Sequence, residues 1–143
     1  MAIKQISIFI ENKEGRIKKA ISILGEKDIN IRALSIADTT KYGILRLIVS
    51  DNVKAMIALE EKGFVVREND VVIVSVPDKP NGLNSVLEVL DEKDINLEYM
   101  YAFISNKTDE AIVVMWFENM EEAVELLKDS DVNILEKEDI EKL

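Results

Sequence analysis

Two short segments carry side chains suited to holding a small charged molecule. They read Glu11-Asn12-Lys13-Glu14-Gly15-Arg16-Ile17 and Pro77-Asp78-Lys79-Pro80-Asn81-Gly82-Leu83. Each joins an alternating, strand-like run to an apolar stripe of helical spacing. Asn12 and Asp78 fall at equivalent positions, as do Lys13 and Lys79. A glycine ahead of a helix lets the backbone turn sharply and come close to a ligand. The helix N-terminus behind it offers N–H groups without intrahelical partners and a partial positive charge, a seat for a carboxylate. The side-chain oxygen of Asn12 or Asp78 can accept from an ammonium group, a charge-assisted bond worth about 1.5–3 kcal/mol. Together these features describe a receptor for a zwitterion. The plainer reading of the same residues is a helix cap and a turn.

Other chemistry is narrowed by what the chain lacks. It has no histidine and no cysteine, which removes His-based triads, His general bases, thiolate nucleophiles and zinc sites built on either residue. The acidic runs Glu60-Glu61, Glu121-Glu122 and Glu136 to Glu141 sit on the polar faces of expected helices, where solvated charge explains them. Asn106-Lys107-Thr108 matches a glycosylation sequon but reads as a turn. Arg32 and Arg46 fall on expected strands as edge or interface ion pairs, and Trp116 as core or interface.

The elements that must position the two loops come in duplicate. Glu-Lys-Asp-Ile-Asn occurs at Glu26–Asn30 and again at Glu92–Asn96, an offset of 92 − 26 = 66. The same offset aligns Ile17 with Leu83, Ala20 with Val86, Ile21 with Leu87 and Leu24 with Leu90. A self-match at fixed spacing marks one unit used twice.

In the first copy, alternation from Ile3 to Ile10 predicts a strand, and Ile17, Ala20, Ile21 and Leu24 predict a core-facing helix ending near Gly25. Ile29–Ala37 and Gly43–Val49 form a hairpin across Asp38–Tyr42. Asn52 caps a second helix with Val53, Met56 and Ile57 inward, and Phe64–Val66 closes the sheet. The second copy repeats the plan with strand Val71–Val76, helix stripe Leu83–Leu90, and hairpin strands Ile95–Ile104 and Ala111–Phe117. A helix on Met120, Ala123, Val124 and Leu127 follows, then strand Val132–Leu135. The order β-α-β-β-α-β is that of ferredoxin-like sandwiches, an α+β fold of antiparallel sheets with helices on one face. Residues 1–68 and 69–143 are the expected domains, joined by about Arg67–Asp70, and EKEDIEKL adds a helical turn or a frayed end.

Gln5 and Ser7 face away from the helices in the first strand, while their counterparts are Val71 and Ile73. A sheet covered on one side shows polar residues on the other, so the apolar outer face of the second copy needs a cover. The candidates are the sister domain and a second chain, and a homodimer in which sheet faces meet is the favoured one.

Net charge is −10, split unevenly: residues 1–67 hold 12 Lys/Arg and 8 Asp/Glu, giving +4, and residues 68–143 hold 6 and 20, giving −14. The plain reading is an acidic, solubilising C-terminal half; the sharper one is that unlike halves attract, favouring contact between an N-terminal and a C-terminal copy. The acidic half argues against phosphate-backbone binding and hence nucleic acid. No run reaches the length of a membrane span. MAIKQISIFI reads as a strand and not a signal peptide, and the missing cysteines fit a cytoplasmic protein.

The N-x-x-G-x-I and D-x-P-x-G-L loops, the helix after each, the Asp-Ile-Asn leading into the second strand and the doubled βαββαβ order resemble the ACT domain. The whole chain is similar to small stand-alone proteins built of two tandem ACT repeats. The resemblance implies a non-catalytic regulatory module that binds a free amino acid at an interface between ACT units, without cofactor or metal. It places the ligand against Asn12, Lys13, Glu14, Gly15, Arg16 and Ile17 in one copy, and Asp78, Lys79, Pro80, Asn81, Gly82 and Leu83 in the other. The opposing wall comes from a second strand: Leu34, Ser35 and Ile36, or Tyr99, Met100, Tyr101 and Ala102. Tyrosine brings both area and a hydroxyl to such a wall. Pro80 removes one N–H donor from the second loop, so the first loop is expected to hold the carboxylate more tightly. The alternative is an interaction subunit that docks through its apolar sheet face on an amino-acid biosynthetic enzyme such as acetolactate synthase. A small enzyme on the same sandwich is the third reading.

Overall fold

The computed structural model of the chain describes residues 3–11, 13–38, 41–104 and 109–143. It divides into two compact units, Lys4–Asn69 and Asp70–Leu143 with Ile3. In the first unit, β1 (Ile3–Glu11), α1 (Arg16–Glu26), β2 (Ile31–Asp38), β3 (Tyr42–Val49), α2 (Asn52–Glu61) and the start of β4 (Val65–Pro77) follow in order. The second unit takes the rest of β4, then α3 (Gly82–Asp91), β5 (Leu97–Ala102), β6 (Glu110–Phe117), α4 (Met120–Lys128), β7 (Asn133–Ile134) and α5 (Lys137–Glu141). β4 is a single strand of 13 residues. The short joint expected at Arg67–Asp70 is therefore extended chain within a strand.

Strand order is β2-β3-β1-β4 in the first unit and β5-β6-β4-β7 in the second. Both are antiparallel with the first strand central, as split βαβ connections require. Register then decides which side chains share a face. Ile6 stands opposite Leu47 and Leu47 opposite Leu34; Ile8 stands opposite Leu45 and Leu45 opposite Ile36. Ile6, Ile8, Leu45 and Leu47 are buried against Ala20, Ile23 and Leu24 of α1 and Ala55, Ala58 and Leu59 of α2. The second unit packs Val72, Val74, Val113, Met115 and Phe117 against Val86, Leu90, Ala123 and Leu127 in the same way.

The repeat persists in detail. β2 slips register between Ile31 and Ala33, and β5 between Leu97 and Tyr99, both at the offset of 66. Asp28 and Asp94 both take positive φ, 58° and 54°. After α1, the N–H of Ile29 donates to the Leu24 carbonyl (2.9 Å) and that of Asp28 to Gly25 (3.0 Å). After α3, Ile95 donates to Leu90 (3.1 Å) and Asp94 to Asp91 (3.1 Å). This is a Schellman termination, and it gives the repeated Glu-Lys-Asp-Ile-Asn its meaning: aspartate tolerates the left-handed turn and isoleucine folds back on the helix. α1 runs through Gly25 and ends at Glu26, one residue past the expected stop.

Three expectations are corrected. Asp51, not Asn52, caps α2, its carboxylate accepting from the Lys54 N–H at 3.1 Å. Val53 and Ile57 of α2 are exposed, and the helix buries Ala55, Ala58 and Leu59 instead, because small alanines let it lie closer to the sheet. The face away from the helices is not open: Gln5, Ser7, Val71 and Ile73 are all buried within one chain. Gln5 meets its polar needs by donating to Asn69 Oδ1 at 3.0 Å. The case for a dimer closed by meeting sheet faces, and for docking through that face, loses its premise. The C-terminal segment forms α5, held by reciprocal capping of Glu136 and Asp139 with Ile140 buried. Among the described residues, no helix is long and apolar enough to cross a membrane.

Candidate ligand-binding site

The two loops fold alike through their backbone bonds. Lys13 N–H donates to Glu11 O (2.8 Å) and Arg16 N–H to Lys13 O (3.3 Å); Lys79 donates to Pro77 O (2.9 Å) and Gly82 to Lys79 O (3.0 Å). In both, the residue ahead of the helix is left-handed, Gly15 at φ 82° and Asn81 at φ 72°. Among the described residues, neither Gly15 ahead of α1 nor Asn81 ahead of α3 gives its helix a side-chain cap hydrogen bond. Asn12 lies outside the described residues.

Their surroundings differ. In the first unit a cleft of about 110 Å³ opens beside the loop, lined by Ile10, Glu11, Lys13, Ile17, Ile36, Gly43 and Leu45. Gly43 stands opposite Ile10, so an absent side chain leaves the space. Ile17, expected in the core stripe, is instead 43% exposed, and Ile36 is 47% exposed; both wall the cleft. Lys13 Nζ and Glu11 Oε2 are 2.9 Å apart at its mouth. The hydrogen bond and charge of Lys13, with Arg16 adding to them, hold the Glu11 carboxyl below the usual carboxylate range. The Arg16 guanidinium lies 4.4 Å from the centre of the Phe64 ring, a cation–π contact. Glu14 is exposed.

In the second unit the loop sits down on its helix. Gly82 is buried, and a Cβ there would overlap the Pro77 carbonyl oxygen. Asn84 donates to Asn81 Oδ1 (2.8 Å) and Ser85 Oγ to Asn81 O (2.9 Å), tying the turn to α3. Asp78, Lys79 and Pro80 are exposed and Leu83 is half-buried. Past the hairpins the offset becomes 115 − 47 = 68, because Leu34 faces Leu47 and Met100 faces Met115. Ala111 therefore stands where the first unit has Gly43.

The expected opposing wall divides by face. Leu34 and Ile36 lie on the helix side of β2, at the end of the strand order, and Leu34 is 37% exposed. Ser35, opposite Arg46 and Ser7, is on the other side. Met100 shares the helix side, opposite Met115, whereas Tyr99 and Tyr101 point the other way. Tyr99 stacks on Trp116 at 5.5 Å and on Tyr101 at 6.4 Å, and Tyr101 is buried. The tyrosine rings pack on Trp116 and on each other, and of that trio only Met100 lies on the helix side of the sheet. Reading the sequence as loops missed Ile10, Gly43 and Leu45. Strand alternation was the signal for Ile10 and Leu45; the gap at Gly43 needed the register.

Two βαββαβ units, each carrying a strand–turn–helix loop of the same design, make a tandem ferredoxin-like fold. The model of the family described as "ACT domain pair" matches residues 1–143, and the chain belongs to that family. Among solved structures it is similar to protein BT0572 from Bacteroides thetaiotaomicron, at 43% identity and TM-score 0.90 over 100% of this chain and 98% of that one. It shares its fold with the ligand-free regulatory subunit of aspartate kinase from Thermus thermophilus (17% identity, TM-score 0.62, 90% and 93% covered). The corresponding subunit from Thermus flavus is similar to the same degree (18%, 0.59, 90% and 92%). No curated protein matches the chain.

Proposed function

We propose that this protein is a non-catalytic sensor that binds a free amino acid at the loop of its first unit. The carrying observation is the cleft that places Glu11 and Lys13, 2.9 Å apart, at the start of α1 beside Ile17 and Ile36. Opposite charges side by side suit a zwitterion: the ligand ammonium meets Glu11, and its carboxylate meets Lys13 and the α1 N-terminus. About 110 Å³ is the room of roughly four waters, enough for the charged head of an amino acid. The side chain then runs out past Ile17 and Ile36, which favours an aliphatic one. β2 ends its strand order with Leu34 and Ile36 exposed, so another ACT unit, from a second copy of the chain, closes the cleft. Binding that joins two copies shifts their geometry only by the difference in affinity between arrangements. Regulatory subunits of aspartate kinase carry the same fold, which fits an output onto an enzyme of amino-acid metabolism.

A thermal-shift screen of the twenty amino acids tests this. At ten times Kd a ligand adds about 1.4 kcal/mol, or a rise of about 4 °C for a chain of this length. Aliphatic amino acids should give the largest shift, and Lys13→Ala should abolish it while Asp78→Ala leaves most of it. Equal losses from the two substitutions, or no shift with any amino acid at millimolar concentration, would refute the proposal.

A further inference from the structure

A second cleft, of about 430 Å³, lies wholly within the second unit between α4, β4 and β7. Its size is in the range of ligand-sized sites. Val72, Met120, Val124, Ile134 and Leu135 supply an apolar floor, and the charges stand at the rim: Asp70, Glu121, Glu125 and Glu136 against Lys128. The corresponding place in the first unit is bridged by hydrogen bonds. There Asn52 donates to the Lys4 carbonyl (3.1 Å) and to Glu68 Oε2 (2.9 Å), tying α2 to β1 and β4. At the offset of 68, Met120 replaces Asn52, so the tie is gone and the groove opens. By the same offset Val53 and Ile57 of α2 become Glu121 and Glu125 of α4. An apolar groove has thus gained an acidic rim in one copy alone.

We infer that this groove docks a cationic amphipathic helix of a partner protein. Glu121 and Glu125 lie one helical turn apart, their Cβ atoms about 5–6 Å from each other. That spacing matches lysines or arginines at i and i+4 of a docked helix whose apolar residues enter the groove. Glu121 and Glu125 have no ion-pair partner among the described residues. The −14 carried by residues 68–143 steers such a segment and rejects anionic ones. The groove is separate from the first-unit cleft and does not depend on amino-acid binding there.

The test measures fluorescence anisotropy of labelled amphipathic helices of about 18 residues, one of leucine and lysine, one of leucine and glutamate with the same apolar pattern, and one scrambled leucine–lysine control. The Leu/Lys helix should bind, the other two should not, and raising the salt from 0.05 to 0.5 M should weaken binding at least about tenfold. The Glu121→Lys/Glu125→Lys protein, its fold checked by circular dichroism, should lose at least about tenfold in affinity, while Lys13→Ala loses none. Should the double variant misfold, the salt series and the Leu/Glu control decide the matter alone. Equal binding of all three helices, or a change of less than about twofold on charge reversal, would overturn the inference. So would dodecyltrimethylammonium binding where the helix does not, which points to a small organic cation. Self-association that the reversal abolishes, with the helix inert, would replace the partner by a second copy of the chain.

Discussion

The first and second units share strand order, register slip, helix termination and loop hydrogen bonds, yet they differ wherever a ligand could enter. The first keeps its loop cleft open, with Gly43 as the gap and Glu11 and Lys13 at the mouth. The second puts Ala111 in the gap and Pro77 in place of Glu11, and presses its turn onto α3. At the far end the side chains differ again: Asn52 ties α2 to β1 and β4 in the first unit, and Met120 lines the groove of the second. Backbone geometry has been kept through duplication while single side chains redistribute the open space. The two units therefore serve as controls for each other, and paired substitutions separate what the fold needs from what the site needs.

The largest contrast is expected at the loop glycines. Gly82→Ala drives a methyl group into the Pro77 carbonyl and should destabilise the chain by about 3 kcal/mol. Gly15→Ala meets no atom within 4 Å but must hold a φ of 82°, which costs about 1–2 kcal/mol. Urea unfolding of both variants checks the order. Similar losses would mean that the second loop is as open as the first, and the claimed asymmetry would be wrong.

The repeated turns sharpen the comparison with gains instead of losses. Asp28→Gly and Asp94→Gly each relieve a left-handed aspartate and should stabilise by about 0.5–1 kcal/mol. Because the hydrogen bonds around the two turns match, the gains should agree and add in the double variant. Destabilisation by either one would show that the aspartate carboxylate does more than accept the turn.

These residues also mark what could be read in advance. Period-two strands and the doubled pentapeptide were visible in the chain, since both are local in sequence, and the fold class followed. Two failures came from burial that local pattern does not encode. α2 was turned by its alanines, so the larger Val53 and Ile57 were misread as inward. The outer sheet face is buried around Gln5, a polar residue whose partner Asn69 lies 64 positions away. The site was half legible: loop glycine and Lys13 stood out, but the gap at Gly43 appears only when Ile10 is placed opposite it. A fixed offset of 66 also hid the match of Asn52 with Met120, because the second hairpin is two residues longer.

The smallest expected effect is the most local. Glu11 titrates below the ordinary carboxylate value of 4.5 because Lys13 donates to it and both Lys13 and Arg16 favour its charge. A depressed folded-state pKa adds stability that is present above the unfolded value and lost as pH falls through the folded one. The window thus lies below about 4.5, and exposure of the pair to solvent keeps the gain small. Carbon-detected NMR titration should find Glu11 titrating below the ordinary carboxylate value, and Lys13→Ala should raise it. Pro77 occupies the matching position of the second loop, so no such response belongs to that unit. An unshifted Glu11 in the wild-type protein would mean that the 2.9 Å pair does not persist in solution, and the first cleft would lose the charge arrangement that distinguishes it.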